Sequence, residues 1–417
     1  MSSSMTSVER NRSAERIERD IETLVGSDYT LSGEAIRRYA YTQVYRNTLD
    51  YFTRALEELG FEVYADPVGT LVARNRPLGE PVFGIGSHCD SNRNGGRYDG
   101  TMGVVTALEV CRLNKELGLD LPLQLISFLE EEGSGFGQML LGSRIMAQRV
   151  TEEELKETFL GIDDGRSFWE HAQAAGYEPE RWRESIHVLD GLTGWIEMHI
   201  EQARVLQDTG NRIGIVNAIA GYIHADVEVH GRGDHAGATP MDFRLDPGLV
   251  VADCILELER LARAAGRGMV GTVGEIEVHP SLINAIPDSI RFSLDIRGVD
   301  EDAFQGVARE IAAFAEQAAA RRGMAAEYRE RQRLPATPLD ERIVGALEAA
   351  AKATGEPYML MPSGAAHDTM CVAGHVRSAM VFVPCKEGIS HSPLEDAKPA
   401  DAGLAAEIIL KAIQALQ

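Results

Sequence analysis

The stretch Gly84-Ile85-Gly86-Ser87-His88-Cys89-Asp90, continued to Tyr98-Asp99-Gly100, sets an imidazole and two carboxylates among glycines. The apolar run 81–85 ahead of it predicts a buried strand. His88 and Asp99 then fall where apolar residues give way to charge, at a strand end. Open α/β sheets build their sites there. A neutral imidazole and a carboxylate are the ligands zinc takes when no thiolate dominates. Taken alone, the stretch fits equally well a surface loop with a capping Asp and an incidental His.

Residues of the same kind close other apolar segments. The run 123–129 predicts a second buried strand and ends in Glu130-Glu131-Glu132-Gly133. The segment 195–202 carries His199, Glu201 and Gln202, and His391 follows the strand expected over 379–383. No two of them share the short helical spacing of an HExxH motif, so a site would be assembled from distant parts of one sheet. His88, Asp99, one Glu from 130–132, His199 and His391 exceed the three or four ligands of a single tetrahedral zinc. They suit two metals sharing a carboxylate. Two ions ~3.5–4 Å apart can hold a hydroxide and polarise a carbonyl together, leaving a spare Glu as general base. Each residue also has a plainer role: a lone His more often hydrogen-bonds in a core or at a surface, and a Glu run suits a solvated strand end.

The elements that must position these residues follow from periodicity. Ile17, Ile21, Leu24 and Val25 mark a helix, and the spacing over 34–59 predicts another, stopped by Gly60. Short strands are expected at 61–64 and 70–73, and a helix over 103–117. Residues 151–189 read as helical with turns at Gly161 and Gly176. Near Gly221 the pattern changes. Strands at 225–230, 272–278 and 290–296 alternate as half-exposed strands do, with helices over 246–265 and 301–322. The block 217–331 therefore reads as a self-contained α+β insert. The expected fold class is α/β: a mixed-sheet catalytic domain in two parts, 1–216 and 332–417, interrupted by that insert. Helices at 342–354 and 401–416 complete it.

The chain has 417 residues, room for two or three domains. Its net charge of −23 argues against nucleic acid or an anionic membrane as partner and requires a specific local cation for any anionic substrate. No apolar run reaches the ~20 residues of a membrane span, and the polar N-terminus has no signal-peptide core, so the expected compartment is the cytoplasm. Cys89, Cys111, Cys254, Cys371 and Cys385 are scattered and form no CxxC pair, which suits reduced thiols.

Residues 86–91 and 95–100 resemble the family of N-carbamoyl-L-amino-acid amidohydrolases, allantoate amidohydrolases and β-ureidopropionases, within the dinuclear-metal superfamily of aminoacylases and glutamate carboxypeptidases. Further matches are 130–134, 197–202, Gly233 to Met241, Asn284-Ala285-Ile286-Pro287 with Asp295-Ile296-Arg297, Ser363-Gly364-Ala365-Ala366-His367-Asp368, and 389–393. They run in the family's order across residues 80–395.

The resemblance implies roles. His88 and His199 would bind one metal, Glu132 and His391 the other, and Asp99 would bridge them. Glu131 would be the general base, and Asp90 would orient His88. The insert would be a lid and dimerisation domain of a homodimer, its His235 donating to the developing oxyanion. Arg297 would grip a substrate carboxylate. Read without the family, Arg297 would rather be a strand-surface ion pair with Asp295 or Glu277. Gln202, Asn284 and Gly364 would bind the substrate's polar groups. The implied ions are two divalent metals, zinc first, with manganese, cobalt or nickel as alternatives.

The implied reaction is hydrolysis of a linear C–N bond other than a peptide bond. An N-carbamoyl-L-amino acid would give amino acid, CO2 and ammonia through a metal-bridged hydroxide. Allantoate amidohydrolase and β-ureidopropionase are the near alternatives; an aminoacylase, a dipeptidase and a non-catalytic metal-binding homologue are the distant ones. The chain departs from the family pattern at Cys89, at Ser91-Asn92-Arg93 where Thr-Val-Pro is more common, at Gly135 where an Arg is usual, and at Ala366 where a Gly is.

Overall fold

The computed structural model describes residues 6–266 and 268–417. Its strands, in chain order, are Glu62–Ala65 (β1), Leu71–Arg74 (β2), Val82–His88 (β3), Leu123–Phe128 (β4), Leu192–Ile200 (β5), Ile213–Ile219 (β6), Gly221–His230 (β7), Asp234–His235 (β8), Val270–Thr272 (β9), Ile276–His279 (β10), Ala285–Ile286 (β11), Ser289–Gly298 (β12), Ala325–Leu334 (β13), Thr337–Pro338 (β14), Tyr358–Ser363 (β15) and Ser378–Val383 (β16). The chain divides into two compact units. One runs to Asn217 and takes up Leu339–Met361 and His367–Gln417; the other is Ala218–Pro338 with Pro362–Ala366.

The larger sheet has the order β1-β2-β4-β3-β5-β16-β6-β14, with β15 also on β6. Its centre is parallel: β3 pairs β4 and β5, and β5 pairs β16, all in parallel. The flanking pairs β1–β2, β2–β4 and β16–β6 are antiparallel, so the sheet is mixed. β3, β4 and β16 are buried along their whole length, as strands covered on both faces must be, and this is why they read as unbroken apolar runs. The helix Thr101–Glu116 packs on β3, β4 and β5 and is buried on nearly every side. It comes close because Gly103 has no side chain; a Cβ there would stand 2.2 Å from the Met198 carbonyl oxygen. The helices Ser7–Leu24, Glu341–Thr354 and Pro399–Leu416 pack together outside it.

The second unit is an antiparallel sheet, β10-β12-β7-β13 with β9 on β12. β7 and β12 alternate buried and half-buried residues along their length. Their inner faces meet the helices Pro247–Ala265 and Glu301–Arg321 over a core that includes Val227, Phe292, Phe304 and Ile311.

Three local expectations need correction. The helix expected over 34–59 begins at Gln43, where Thr42 caps it by accepting from the Tyr45 N–H. Residues before it form an irregular segment bridged to Gly95 through Ile36. Residues 151–189 hold one short α-helix, Phe168–Ala174, between a π-turn at Glu154–Thr158 and 3-10 turns at Pro179–Leu189. The block boundary at 331 falls inside β13, whose charged sequence Arg329-Glu330-Arg331 masks a strand that pairs with β7.

Candidate metal centre

The four parallel strands deliver the site. His88 is the last residue of β3, Glu130–Glu132 follow β4, His199 is next to last in β5, and His391 lies in the loop after β16. Asp99 precedes the helix that follows β3. The carboxyl ends of adjacent parallel strands thus carry side chains separated by up to three hundred residues of sequence, the usual place for a site in such a sheet.

Two groups of ligand atoms form around one shared carboxylate. His88, Asp99 and His199 make the first; Asp99, Glu132 and His391 make the second. Asp99 Oδ1 lies 3.1 Å from His199 Nε2 and 3.7 Å from His88 Nε2. Asp99 Oδ2 lies 3.4 Å from His391 Nε2, which is also 3.4 Å from Glu132 Oε2. Glu131 points Oε2 to within 3.7 Å of His88 Nε2. All of these are buried except His391, whose side chain is 44% exposed.

Outer contacts fix the inner atoms. His88 Nδ1 is 3.3 Å from the Asp90 carbonyl oxygen and 3.5 Å from its Oδ1; His199 Nδ1 is 2.9 Å from the Ile200 carbonyl oxygen. Both rings therefore turn Nε2 inward, as metal-binding imidazoles held from behind do. The Asp90 carboxylate also accepts from the Glu131 and Glu132 N–H groups, at 3.1 and 3.0 Å. Gln202 donates to Asp99 Oδ2 at 2.7 Å, so its amide serves the shared carboxylate here. Two further residues escaped the sequence reading. Glu395 Oε1 accepts from the Tyr98 and Asp99 N–H groups, and Ser390 Oγ lies 2.8 Å from Asp99 Oδ2. Glu395 in Ser-Pro-Leu-Glu looks like a surface acid, and no local signal marks its partners.

The charges are mutually strained. Burial lifts the Glu131 carboxyl well above its usual range, with Glu132 and Asp368 adding and His88 opposing. Burial, then Asp99, raises Glu132 to about 7. Burial pulls on the His88 ring, but Glu131, Asp90 and Asp99 outweigh it and hold it well above its ordinary value. Hydrogen bonding to Asp99 leads the rise of His391 to about 9. Glu132 Oε1 is buried without a hydrogen-bond donor, and the Nε2 atoms of His88 and His199 face each other at 3.4 Å. Such a donor-poor, electron-rich set fits divalent cations. The unit could hold one ion on each group.

The remaining candidates lie in the second unit. His235 pairs across β8–β11 with Ala285; its Nδ1 accepts from the Gly237 and Ala238 N–H groups at 3.1 and 3.2 Å. The proton of the neutral ring is thereby placed on Nε2, on an exposed side chain. The Asn284 carbonyl oxygen accepts from Ala236 at 3.0 Å. Arg297 is paired with Asp295 through Nε and Nη2, and donates through Nη1 to the Gly364 carbonyl oxygen at 3.1 Å. The ion pair is thus with Asp295; Glu277 pairs with Arg291 instead.

The chain is similar to known proteins over most of its length. The sequence profile of Peptidase family M20/M25/M40 matches residues 85–415. An N-carbamoyl-L-amino acid amidohydrolase of Geobacillus stearothermophilus is 35% identical over 90% of this chain and 91% of its own. A ureidoglycolate hydrolase of Oryza sativa is 34% identical over 92% of this chain and 80% of its own. The crystal structure of a hydantoinase/carbamoylase-family amidase from Burkholderia multivorans superposes with a TM-score of 0.88 at 28% identity, over 97% of both chains. The class defined by this fold and site is that of an amidohydrolase, acting on carbon–nitrogen bonds. Within that class the chain belongs to Peptidase family M20/M25/M40.

Proposed function

We propose that this enzyme hydrolyses the ureido group of an N-carbamoyl-L-amino acid to the amino acid, CO2 and ammonia. The observation that carries the reading is the shared carboxylate: each oxygen of Asp99 faces a different ligand group, and Glu131 stands beside them, outside both. His88 and His199 with Asp99 would hold one divalent ion, and Glu132 and His391 with Asp99 the other; zinc is the first choice, with manganese, cobalt and nickel as alternatives. Bound there, the ions supply Lewis acidity toward a carbonyl oxygen and lower the pKa of water.

The chain's own residues do the rest. Glu131 takes a proton from the attacking water and returns it to the leaving nitrogen. Burial raises its carboxyl, which favours taking up a proton, as a general base needs. His235 donates from Nε2 to the oxyanion, a role supported by the acceptor state of its Nδ1. Arg297 grips the substrate carboxylate, with Asn284, Gln202 and Gly364 binding the polar groups around it. Arg297 keeps free N–H groups for this beyond those given to Asp295 and Gly364. The second unit serves as lid and dimerisation domain of a homodimer.

The ureidoglycolate-hydrolase relative supports a second reading, in which the substrate is ureidoglycolate or a similar ureide. Ammonia release from metal-loaded enzyme on N-carbamoyl-L-amino acids, N-carbamoyl-β-alanine, ureidoglycolate and allantoate separates the two. Turnover of the first substrate class above the others is expected; preference for allantoate or ureidoglycolate overturns the assignment. Glu131→Gln should retain both ions by chelator titration while losing about 10²- to 10⁴-fold in kcat. A variant that keeps wild-type turnover removes Glu131 as base.

A further inference from the structure

We infer that Arg38, a member of neither ligand group, is a positioning residue for His88 and Asp99: its guanidinium clamps both ends of the loop between them and so sets how tightly the centre holds its divalent ions. The inference rests on the reading of the two groups as a metal site.

Arg38 is 1% exposed, so its charge must be met inside the protein. Nε donates to the Tyr29 carbonyl oxygen at 2.9 Å, and Nη2 to that of Leu24 at 2.6 Å. Nη1 donates both to the Cys89 carbonyl oxygen at 2.9 Å and to Thr101 Oγ at 3.0 Å. All these acceptors are neutral. Leu24 closes the helix Ser7–Leu24, which has no basic residue in its last turn, so the negative end of that helix holds the guanidinium from behind. The acceptors on Nη1 belong to the centre. Cys89 stands between His88 and Asp90, and Thr101 opens the helix that follows Asp99 and Gly100. One nitrogen thus ties the chain just after one ligand to the chain just after the next. The backbone repeats the tie. The Arg38 N–H donates to Ser91 Oγ at 2.9 Å, the Ser91 N–H to the Arg38 carbonyl oxygen at 3.0 Å, and the Ile36 N–H to the Gly95 carbonyl oxygen at 3.0 Å.

Affinity for an ion depends on how little the ligand atoms must move to meet it. His88 Nε2 and Asp99 Oδ1 already stand 3.7 Å apart, and Asp99 serves both groups, so a loop that spreads loosens both ions. A planar fork with donors on three nitrogens reaches all of these acceptors at once. Lysine keeps the charge but offers a single nitrogen, and leaves buried carbonyl oxygens without a donor. The link also runs the other way: if the clamp tightens the ions, bound ions tighten the clamp.

The test uses metal-stripped full-length protein, titrated with Zn2+ against a competing chelator well below the Tm of each variant. Arg38→Lys should weaken both ions about 10- to 100-fold. Arg112→Met is the control. Arg112 pairs with Asp20 and Glu109, away from the ligands, so its loss should lower Tm and leave both affinities as in wild type. Equal affinity in Arg38→Lys and wild type overturns the inference. So does an equal loss in Arg112→Met, which would trace the effect to stability alone. Hydrogen exchange on wild type tests the same link and stands if Arg38→Lys does not fold. Zn2+ should slow exchange of the Ile36, Arg38 and Ser91 amides about 10-fold, and more than that of the helix Glu341–Thr354. Exchange that Zn2+ leaves unchanged at these amides, or slows no more than in that helix, overturns the inference too. A wild-type titration with fewer than two ions removes the metal reading itself, a failure seen before any variant is made.

Discussion

At the residue scale, the shared carboxylate depends on an acid that never faces the ligand groups. Glu395 is buried and accepts from the backbone N–H of Tyr98 and of Asp99, at 2.8 and 2.9 Å. Its other oxygen meets Ser390 Oγ at 3.1 Å. Glu395→Ala leaves two buried donors without a partner, at about 1–3 kcal/mol each. It also releases the turn that aims Asp99. We expect a lower Tm and about 10-fold weaker metal binding, with Glu395→Gln intermediate because one acceptor oxygen remains; chelator titration and thermal melts check both. His88, Asp99, His199, His391 and one Glu of 130–132 are legible from sequence as polar residues that follow apolar segments, and the fold brings them together; the separate roles of Glu131 and Glu132 come only from the family resemblance. Glu395 and Ser390 are not legible, since the groups they hold at Tyr98 and Asp99 lie almost three hundred positions away and nothing in their own neighbourhood encodes the meeting.

At the scale of elements, the site is aimed by close approach. Gly100 has φ 59° and lies against the His88 ring; a Cβ at this position would stand 2.2 Å from His88 Cε1. Gly100→Ala therefore strains the backbone and pushes the ring at once. The expected outcome is loss of binding at the His88–Asp99–His199 group with secondary structure retained, read by metal stoichiometry and circular dichroism. The same scale shows where periodicity misleads. The apolar spacing behind the helix expected over 34–59 starts only at Val44, and ahead of it Ile36 pairs with Gly95 and Arg38 is buried as a guanidinium donating to the Leu24, Tyr29 and Cys89 carbonyl oxygens. Tertiary hydrogen bonds there override local preference. The central strands were legible because burial on both faces leaves no polar position to blur them; β13 was hidden by its exposed charges.

At the scale of the whole molecule, proton binding and metal binding oppose each other. Glu132 and His391 are both raised in the fold, to about 7 and about 9. The folded, metal-free chain thus holds more protons than the unfolded chain between the ordinary values of these groups and the raised ones. Stability then falls as pH rises, from about 4.5 to 7 for Glu132 and from about 6.5 to 9 for His391. Cations supply the missing positive charge at high pH. The Tm gain on adding metal should therefore be larger at pH 8.5 than at pH 6, by calorimetry at fixed free-metal concentration. A gain that shrinks with rising pH would contradict the charge reading of the centre. Among the described residues no helix is long and apolar enough to cross a membrane.

The peptide that leaves the larger unit at Asn217 comes back at Leu339, and the two are joined directly: the Leu339 N–H donates to the Asn217 carbonyl oxygen at 3.1 Å. The exit and the return of this excursion are thus neighbours, and Pro362–Ala366 joins the same unit by a separate pass of the chain. Substitutions confined to residues 220–336 should therefore leave the parallel pairing of β3, β4, β5 and β16, which carry the ligand side chains, as it is.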